Sequence, residues 1–273
     1  MTSPPPPPDQ KNQIFTLVDV AISTWGPVVV PIYGNVKRSG NDLDAVGSAF
    51  LVSTGLRLYL VTALHVLHDI QKKFGPYVVA NISGKGVSLA GVAFEISNHY
   101  DVAVAHLSDE WLAAAGLESG TLKAFPMRTN LNWSPTGLFL LLGYPATKNL
   151  IKGLYGKTNR HLYSISTSQV DGKSVSTQVE NPLIFDYDHE NVVNSEQKKL
   201  GPQPNLRGMS GGPALQLLAD PADSRRFSVS CEGVLSEWPW RDRAVVASSM
   251  ANVCELISRY EKKWVPVEDP PLG

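Results

Sequence analysis

Cysteine is scarce: the 273-residue chain has two, Cys231 and Cys254. Two cannot build a disulfide framework. One bridge between them and two buried free thiols both stay open, and free thiols are the plainer state. Net charge is nearly absent too, with 24 Lys and Arg against 25 Asp and Glu and a formal charge of −1. A polyanion or an anionic membrane surface is therefore not favoured as a partner, and no basic stripe interleaved with aromatics suggests nucleic-acid binding. No uninterrupted apolar run approaches the roughly 18 residues that a membrane span requires. The N-terminus, MTSPPPPPDQKNQ, lacks a charged segment followed by an apolar one, so no secretory signal is expected. With the few cysteines, this points to the cytoplasm. No HExxH or paired CxxC occurs, so neither a metal nor a cofactor is expected.

What is there is an apolar fraction of 43% against 18% charged residues, enough for a sizeable core in one large domain or two close-packed ones. Five consecutive prolines favour a solvated, disordered tail over residues 1–13. Beyond it, short apolar runs are separated by Gly, Asn, Asp and Pro: 27–33, 46–52, 58–63, 77–82, 87–96, 102–107, 137–144, 161–167, 182–187, 212–218, 227–235 and 244–248. Such spacing predicts an all-β architecture, a barrel or a sandwich. A single apolar face at Met250, Val253, Cys254, Ile257 and Tyr260 predicts a helix over 250–263, with a shorter one over 109–117. The Gly-, Thr-, Asn- and Pro-rich segment 114–136 is the expected connection between two halves.

The stretch 205-NLRGMSGGPALQL-217 sets three glycines and a proline around Ser210. A serine hydroxyl reacts only with a base in reach, a group orienting that base, and donors for a developing oxyanion. Glycine at 208 frees the backbone to turn the amides of Gly208 and Ser210 towards one point. Gly211 and Gly212 are expected to clear space for a bound peptide. Of six histidines, His65 stands at the end of the apolar run LYLVTA, a rigid place for a base, and His68 three residues on reads as a surface or supporting residue. Asp101 precedes the apolar run VAVAHL, where an aspartate is costly to bury unless hydrogen-bonded. The plainer alternatives are a glycine-rich hairpin at 208–212 and a solvated turn aspartate at 101.

Three of these segments resemble motifs of the trypsin-like serine proteases: VTALHV the T-A-x-H turn, DVAVAHL the D-[IV]-A-[LV] strand, and GMSGGP the G-x-S-G-G-P loop. Their order, His then Asp then Ser, also matches that family. Gly233-Val234-Leu235-Ser236 is similar to the strand that pairs with substrate backbone. The resemblance covers about residues 20–264. It implies two packed six-stranded antiparallel β-barrels, about 20–120 and 130–248, then a C-terminal helix and a tail over 265–273. It further implies a serine endopeptidase acting on protein or peptide substrates, with His65 as base, Asp101 as its orienter, Ser210 as nucleophile and the amides of Gly208 and Ser210 as oxyanion hole. Pro204, Asn205, Leu206, Arg207, Leu235, Ser236, Glu237 and Trp238 would line the substrate site. An inactive fold of this type serving as a protein-binding module is the alternative.

The chain departs from the family's pattern in four places. Met209 stands where secreted digestive members carry the aspartate that pairs with a newly cut N-terminus, so no propeptide switch of that form is expected. The enzyme would be constitutively competent, or switched by loop ordering or an activating protein partner. Pro204 replaces the pocket aspartate of members that cut after Lys or Arg. Trp238 would narrow the pocket towards small or apolar residues, while Arg241 and Arg243 would favour an acidic one. The segment 145–204 is long for this family and reads either as a specificity or activation loop or as a surface excursion.

Overall fold

The computed structural model describes residues 8–35, 43–74, 78–127, 133–151, 161–171, 174–188, 205–223 and 226–264. Its strands are β1 (Val29–Asn35), β2 (Leu43–Ser53), β3 (Leu58–Ala63), β4 (Val78–Ile82), β5 (Lys85–Ser88), β6 (Glu95–Ser97), β7 (Val102–His106), β8 (Phe125–Pro126), β9 (Ser134–Gly143), β10 (Leu150–Ile151), β11 (Tyr163–Thr167), β12 (Leu183–Asp186), β13 (Pro213–Ala219), β14 (Phe227–Glu237) and β15 (Ala244–Ser249). The helices are α1 (Pro8–Trp25), α2 (Leu64–Phe74), α3 (Asp109–Ala114) and α4 (Met250–Trp264). None is long and apolar enough to cross a membrane among the described residues.

Two sheets carry the strands. The first follows β5-β4-β1-β2-β3-β7-β6, with β8 and β10 added against β2; the second follows β11-β9-β13-β14-β15-β12. All pairings are antiparallel except the short β2–β8 contact. The expected count of six strands therefore fails for the first sheet, which has nine. The two-residue strands β8 and β10, too short for any alternating pattern, make up part of the excess. In the second sheet, Ser168 and Val170 beyond the end of β11 bond to β12 through Val170 N to Ile184 O (2.8 Å) and Asp186 N to Ser168 O (3.1 Å). This joins the two edges and satisfies their backbone groups.

Alternation along single strands decides which core a residue enters. On β9, Leu140 and Leu142 join a large cluster shared by the first sheet, α1 and α4, while Phe139 and Leu141 enter a smaller one enclosed by the second sheet. Successive side chains leave opposite faces of a strand, so one run of leucines serves both cores. Helix α4 buries Met250, Val253, Leu256 and Ile257, and half-buries Cys254 and Tyr260. Its far end is tied to the first sheet, with Tyr59 Oη donating to Glu261 (2.8 Å) and Lys263 pairing with Glu95 (3.5 Å). Both cysteines are free, Cys231 buried and Cys254 half-buried.

Two elements differ from expectation. Pro8–Gln13 belong to α1, not to a disordered tail. Proline is accepted in the first turn of a helix, where its missing N–H would have no partner, and the prolines end as the helix begins. The apolar run 87–96 is split, because the chain turns at Gly91 with φ +79° between β5 and β6.

Candidate active site

Pairing of β3 with β7 sets Ala63 opposite Val102, so the residues just beyond these strand ends meet. His65 is the second residue of α2 and Asp101 immediately precedes β7. Asp101 takes a left-handed conformation, φ +51°, which aspartate tolerates better than most residues. In it, the backbone carbonyl of Asp101 accepts from Leu64 N (3.1 Å), and the carboxylate faces His65. Asp101 Oδ1 accepts from His65 N (2.8 Å), and Oδ2 lies 2.7 Å from His65 Nδ1. An ionised carboxylate only accepts, so Nδ1 carries the proton and Nε2 keeps the lone pair of a base. Ser236 Oγ donates to the same Oδ2.

These contacts set the charges. Burial raises the Asp101 pKa, but the hydrogen bond and charge of His65, then the Ser236 hydroxyl, outweigh it and hold the carboxyl below its usual range. Burial likewise opposes the charge on His65, yet the hydrogen bond and charge of Asp101, helped by Asp69 and Glu237, lift the imidazole above its ordinary 6.5.

Ser210 comes from the other sheet, in the turn before β13. Gly211 N donates to Leu235 O (2.6 Å) and Leu235 N to Gly212 O (2.8 Å), which draws the turn against β14. Among the described residues, the acceptor of the Ser210 hydroxyl is the carbonyl of Ser236, at 2.9 Å. His65, Asp101, Ser210 and Ser236 line one cleft of about 470 Å³.

The turn 207–210 has all four of its carbonyls anchored. Arg207 O accepts from Ala146 N (2.8 Å), Met209 O from Gly212 N (2.9 Å), and Ser210 O from Ser48 N (2.8 Å). Gly208 O accepts from Ser48 Oγ (2.7 Å). The peptides are trans, so each N–H points opposite its carbonyl. Gly208 N is thus turned away from Ala146, and Ser210 N away from Gly212. Met209 N donates to Leu206 O (2.9 Å), whereas Gly208 N and Ser210 N have no protein acceptor among the described residues. Gly208 needs φ +96° for this path, and a side chain there would strike Ala146 N and Tyr144 O at 2.7 Å.

The reason for Gly211 differs from the expectation that it clears space for a peptide. A Cβ at Gly211 would lie 2.0 Å from Ser48 O and 2.3 Å from Thr62 Oγ1, so the glycine lets the turn touch the first sheet. Met209 is buried in the smaller cluster, packed against Gly143, and is thus an apolar anchor.

Of the residues assigned to a substrate site, Asn205, Leu206, Arg207, Ser236, Glu237 and Trp238 line the cleft. Leu235 lies in an adjoining recess of only about 20 Å³, walled by Leu206, Met209, Trp238 and Val245 beside Ser210. Pro204 falls outside the described residues. Arg241 and Arg243 are occupied elsewhere: Arg241 stacks on Trp240 (5.3 Å) and Arg243 pairs with Asp188 (3.2 Å). Neither lines the recess, which removes the basis for an acidic preference there.

Four cleft or loop-holding residues were not singled out for these places in the sequence. Asn98 and Gln178 line the cleft, as does the exposed His68, which was read as a surface or supporting residue. Gln178 belongs to the stretch 174–181, which bridges the two sheets: Ser176 N bonds Asp242 (3.0 Å), Gln178 N bonds Glu237 (3.3 Å), and Glu180 N bonds His99 O (2.9 Å). The fourth, Ser48, lies within the apolar run VGSAFLV, and the only signal for it is a small polar residue where a strand interior should be apolar.

No family model and no curated protein matches the sequence. Among solved structures the chain is similar to the serine endoprotease from Yersinia pestis, at 16% sequence identity and a TM-score of 0.49, over 96% of this chain and 68% of that one.

Proposed function

We propose that the protein is a serine endopeptidase. The observation that carries this reading is the chain of contacts Ser236–Asp101–His65 in the cleft that Ser210 also lines. In this reading, Ser210 Oγ leaves the Ser236 carbonyl and attacks a scissile carbonyl carbon while His65 Nε2 takes its proton. The C=O bond becomes an oxyanion held by Gly208 N and Ser210 N, each donor contributing about 3–4 kcal/mol. The imidazolium is stabilised by Asp101 and returns the proton to the leaving amine. Water then releases the acyl group by the same steps in reverse. Catalytic hydrogen bonds are often loose without substrate, which fits the resting position of the Ser210 hydroxyl.

Labelling with a fluorophosphonate probe tests the assignment. Wild type is expected to react stoichiometrically, and Ser210→Ala and His65→Ala to lose the reaction while remaining folded. A folded wild type that does not react refutes the assembled triad and favours the binding-module alternative.

The recess beside Ser210 has room for about a methyl group, so the residue preceding the cut is proposed to be glycine or alanine. Trp238 forms one wall of it. Trp238→Ala is expected to shift preference towards leucine or methionine by about 10- to 200-fold in a peptide library, the range for changes of a methylene or more in an apolar pocket. An unchanged profile would remove Trp238 from the specificity site.

A further inference from the structure

Resting on the peptidase reading, we infer that Ser48 is a positioning residue that sets the shape of the oxyanion turn from the opposite sheet. Ser48 is fully buried in β2 and every polar group it has is used. Its N–H donates to Ser210 O (2.8 Å) and its hydroxyl donates to Gly208 O (2.7 Å). The hydroxyl oxygen accepts from Tyr144 N (2.9 Å), at the end of β9. Its carbonyl accepts from the buried hydroxyl of Thr62 (2.7 Å), which fixes Ser48 itself on β3.

Two of the four carbonyls in the turn 207–210 are therefore held by this one residue. The Gly208–Met209 peptide is pinned at both ends, its carbonyl by Ser48 Oγ and its N–H by Leu206 O. Because a peptide plane is rigid, that pinning fixes the plane on the C-terminal side of Gly208, which together with the plane before it sets the dihedral angles of this residue. On the other side, Ala146 N holds the Arg207 carbonyl, so the plane bearing Gly208 N–H is fixed independently. Without the Ser48 hydroxyl, the buried Gly208 O loses its donor and Tyr144 N loses this acceptor. The cheapest remedy is rotation of the Gly208 carbonyl towards another donor. That rotation disorders the site where the oxyanion forms, although Ser48 touches neither substrate nor reacting atoms. The arrangement also does the job for which an ion pair to an aspartate would be needed at position 209: Met209 packs into the apolar cluster and Ser48 supplies the polar anchor.

The test compares wild type, Ser48→Ala and Ala146→Pro in saturation kinetics of fluorophosphonate inactivation. Proline at 146 deletes the N–H that holds Arg207 O and sets its ring against that oxygen, so it unseats the turn from its other anchor. Both variants are expected to lower the inactivation rate constant by about 10²-fold, with the half-saturating probe concentration little changed, the size of effect seen when reacting groups are misplaced by about 1 Å. A purely structural role would lower the melting temperature of Ser48→Ala and leave its rate constant unchanged at temperatures where it is folded; that result overturns the inference. If Ser48→Ala does not fold, Ser48→Cys decides: a thiol is only a weak donor, so a rate equal to that of wild type overturns the inference. If wild type itself is not labelled, the peptidase reading fails, and a crystal structure of Ser48→Ala decides separately. A reoriented Gly208 carbonyl there supports the role of Ser48, and an unmoved turn ends it.

Discussion

Replacing Asp101 with asparagine is expected to lower the acylation rate of Ser210 by about 10⁴-fold without unfolding the protein. Asparagine fills the same space, and its carbonyl oxygen can still accept from His65 N. Its amide group, however, faces His65 Nδ1 with a donor. The imidazole must then carry its proton on Nε2, and the lone pair needed by Ser210 is lost. The pH profile distinguishes this loss from general damage. In wild type, His65 titrates above its ordinary 6.5, because Asp101 outweighs the effect of burial, and it acts as a base only when neutral. Activity should therefore rise with a midpoint above pH 6.5. In Asp101→Asn the favourable charge is gone while burial remains, so the midpoint of the residual activity should move down. Labelling rates between pH 5 and 9 would measure both. An unchanged midpoint would mean that Asp101 does not govern the charge on His65.

The same pair bears on stability, with signs set by the two shifts. The raised pKa of His65 adds stability that is fully present below pH 6.5 and is lost as pH rises through its folded value. The lowered pKa of Asp101 adds stability that is present above the ordinary carboxylate range and is lost as pH falls through its folded value.

Gly211→Ala is expected to be the most destabilising single change in the loop 207–212. The alanine would need φ +85°, costing about 1–2 kcal/mol, and its methyl would sit 2.0 Å from the Ser48 carbonyl in a fully packed seam, adding about 1–3 kcal/mol more. The atom it meets is strand backbone and cannot swing aside. A loss of at least about 3 kcal/mol in chemical denaturation is expected; a loss below about 1 kcal/mol would mean that the two sheets do not meet there as closely as described.

Much of the fold was legible because each of its signals is local. Each of the twelve apolar runs overlaps a strand, with 87–96 divided between two, since a half-buried strand needs only alternation and a turn residue on either side. Helix α4 showed itself through Met250, Val253 and Ile257. Helix α1 carries a similar signal in Val18, Ala21, Ile22 and Trp25, all buried or half-buried. The neighbouring prolines hid it, because they argue for an extended tail and the helix begins as they end. The candidate site was legible where a motif brings its own reason: Ser210 among glycines, His65 at a strand end, Asp101 before an apolar strand. Ser48 and Gln178 had no such context. Their places depend on contacts with residues 160 and 59 positions distant, Gly208 and Glu237, which no local pattern encodes.

The division of the site between the sheets has a consequence for how the chain matures. The proposed base His65 and its partner Asp101 come from the first sheet, Ser210 and the turn before it from the second, and the bonds Ser236 to Asp101 and Ser48 to Gly208 that join them span 135 and 160 residues. Loops of that length close late in folding, after each sheet has gained its own nearer contacts. A half-folded intermediate would hold a serine with no base and an imidazole with no serine. On the peptidase reading proposed above, this topology would itself keep a half-folded chain from digesting its neighbours.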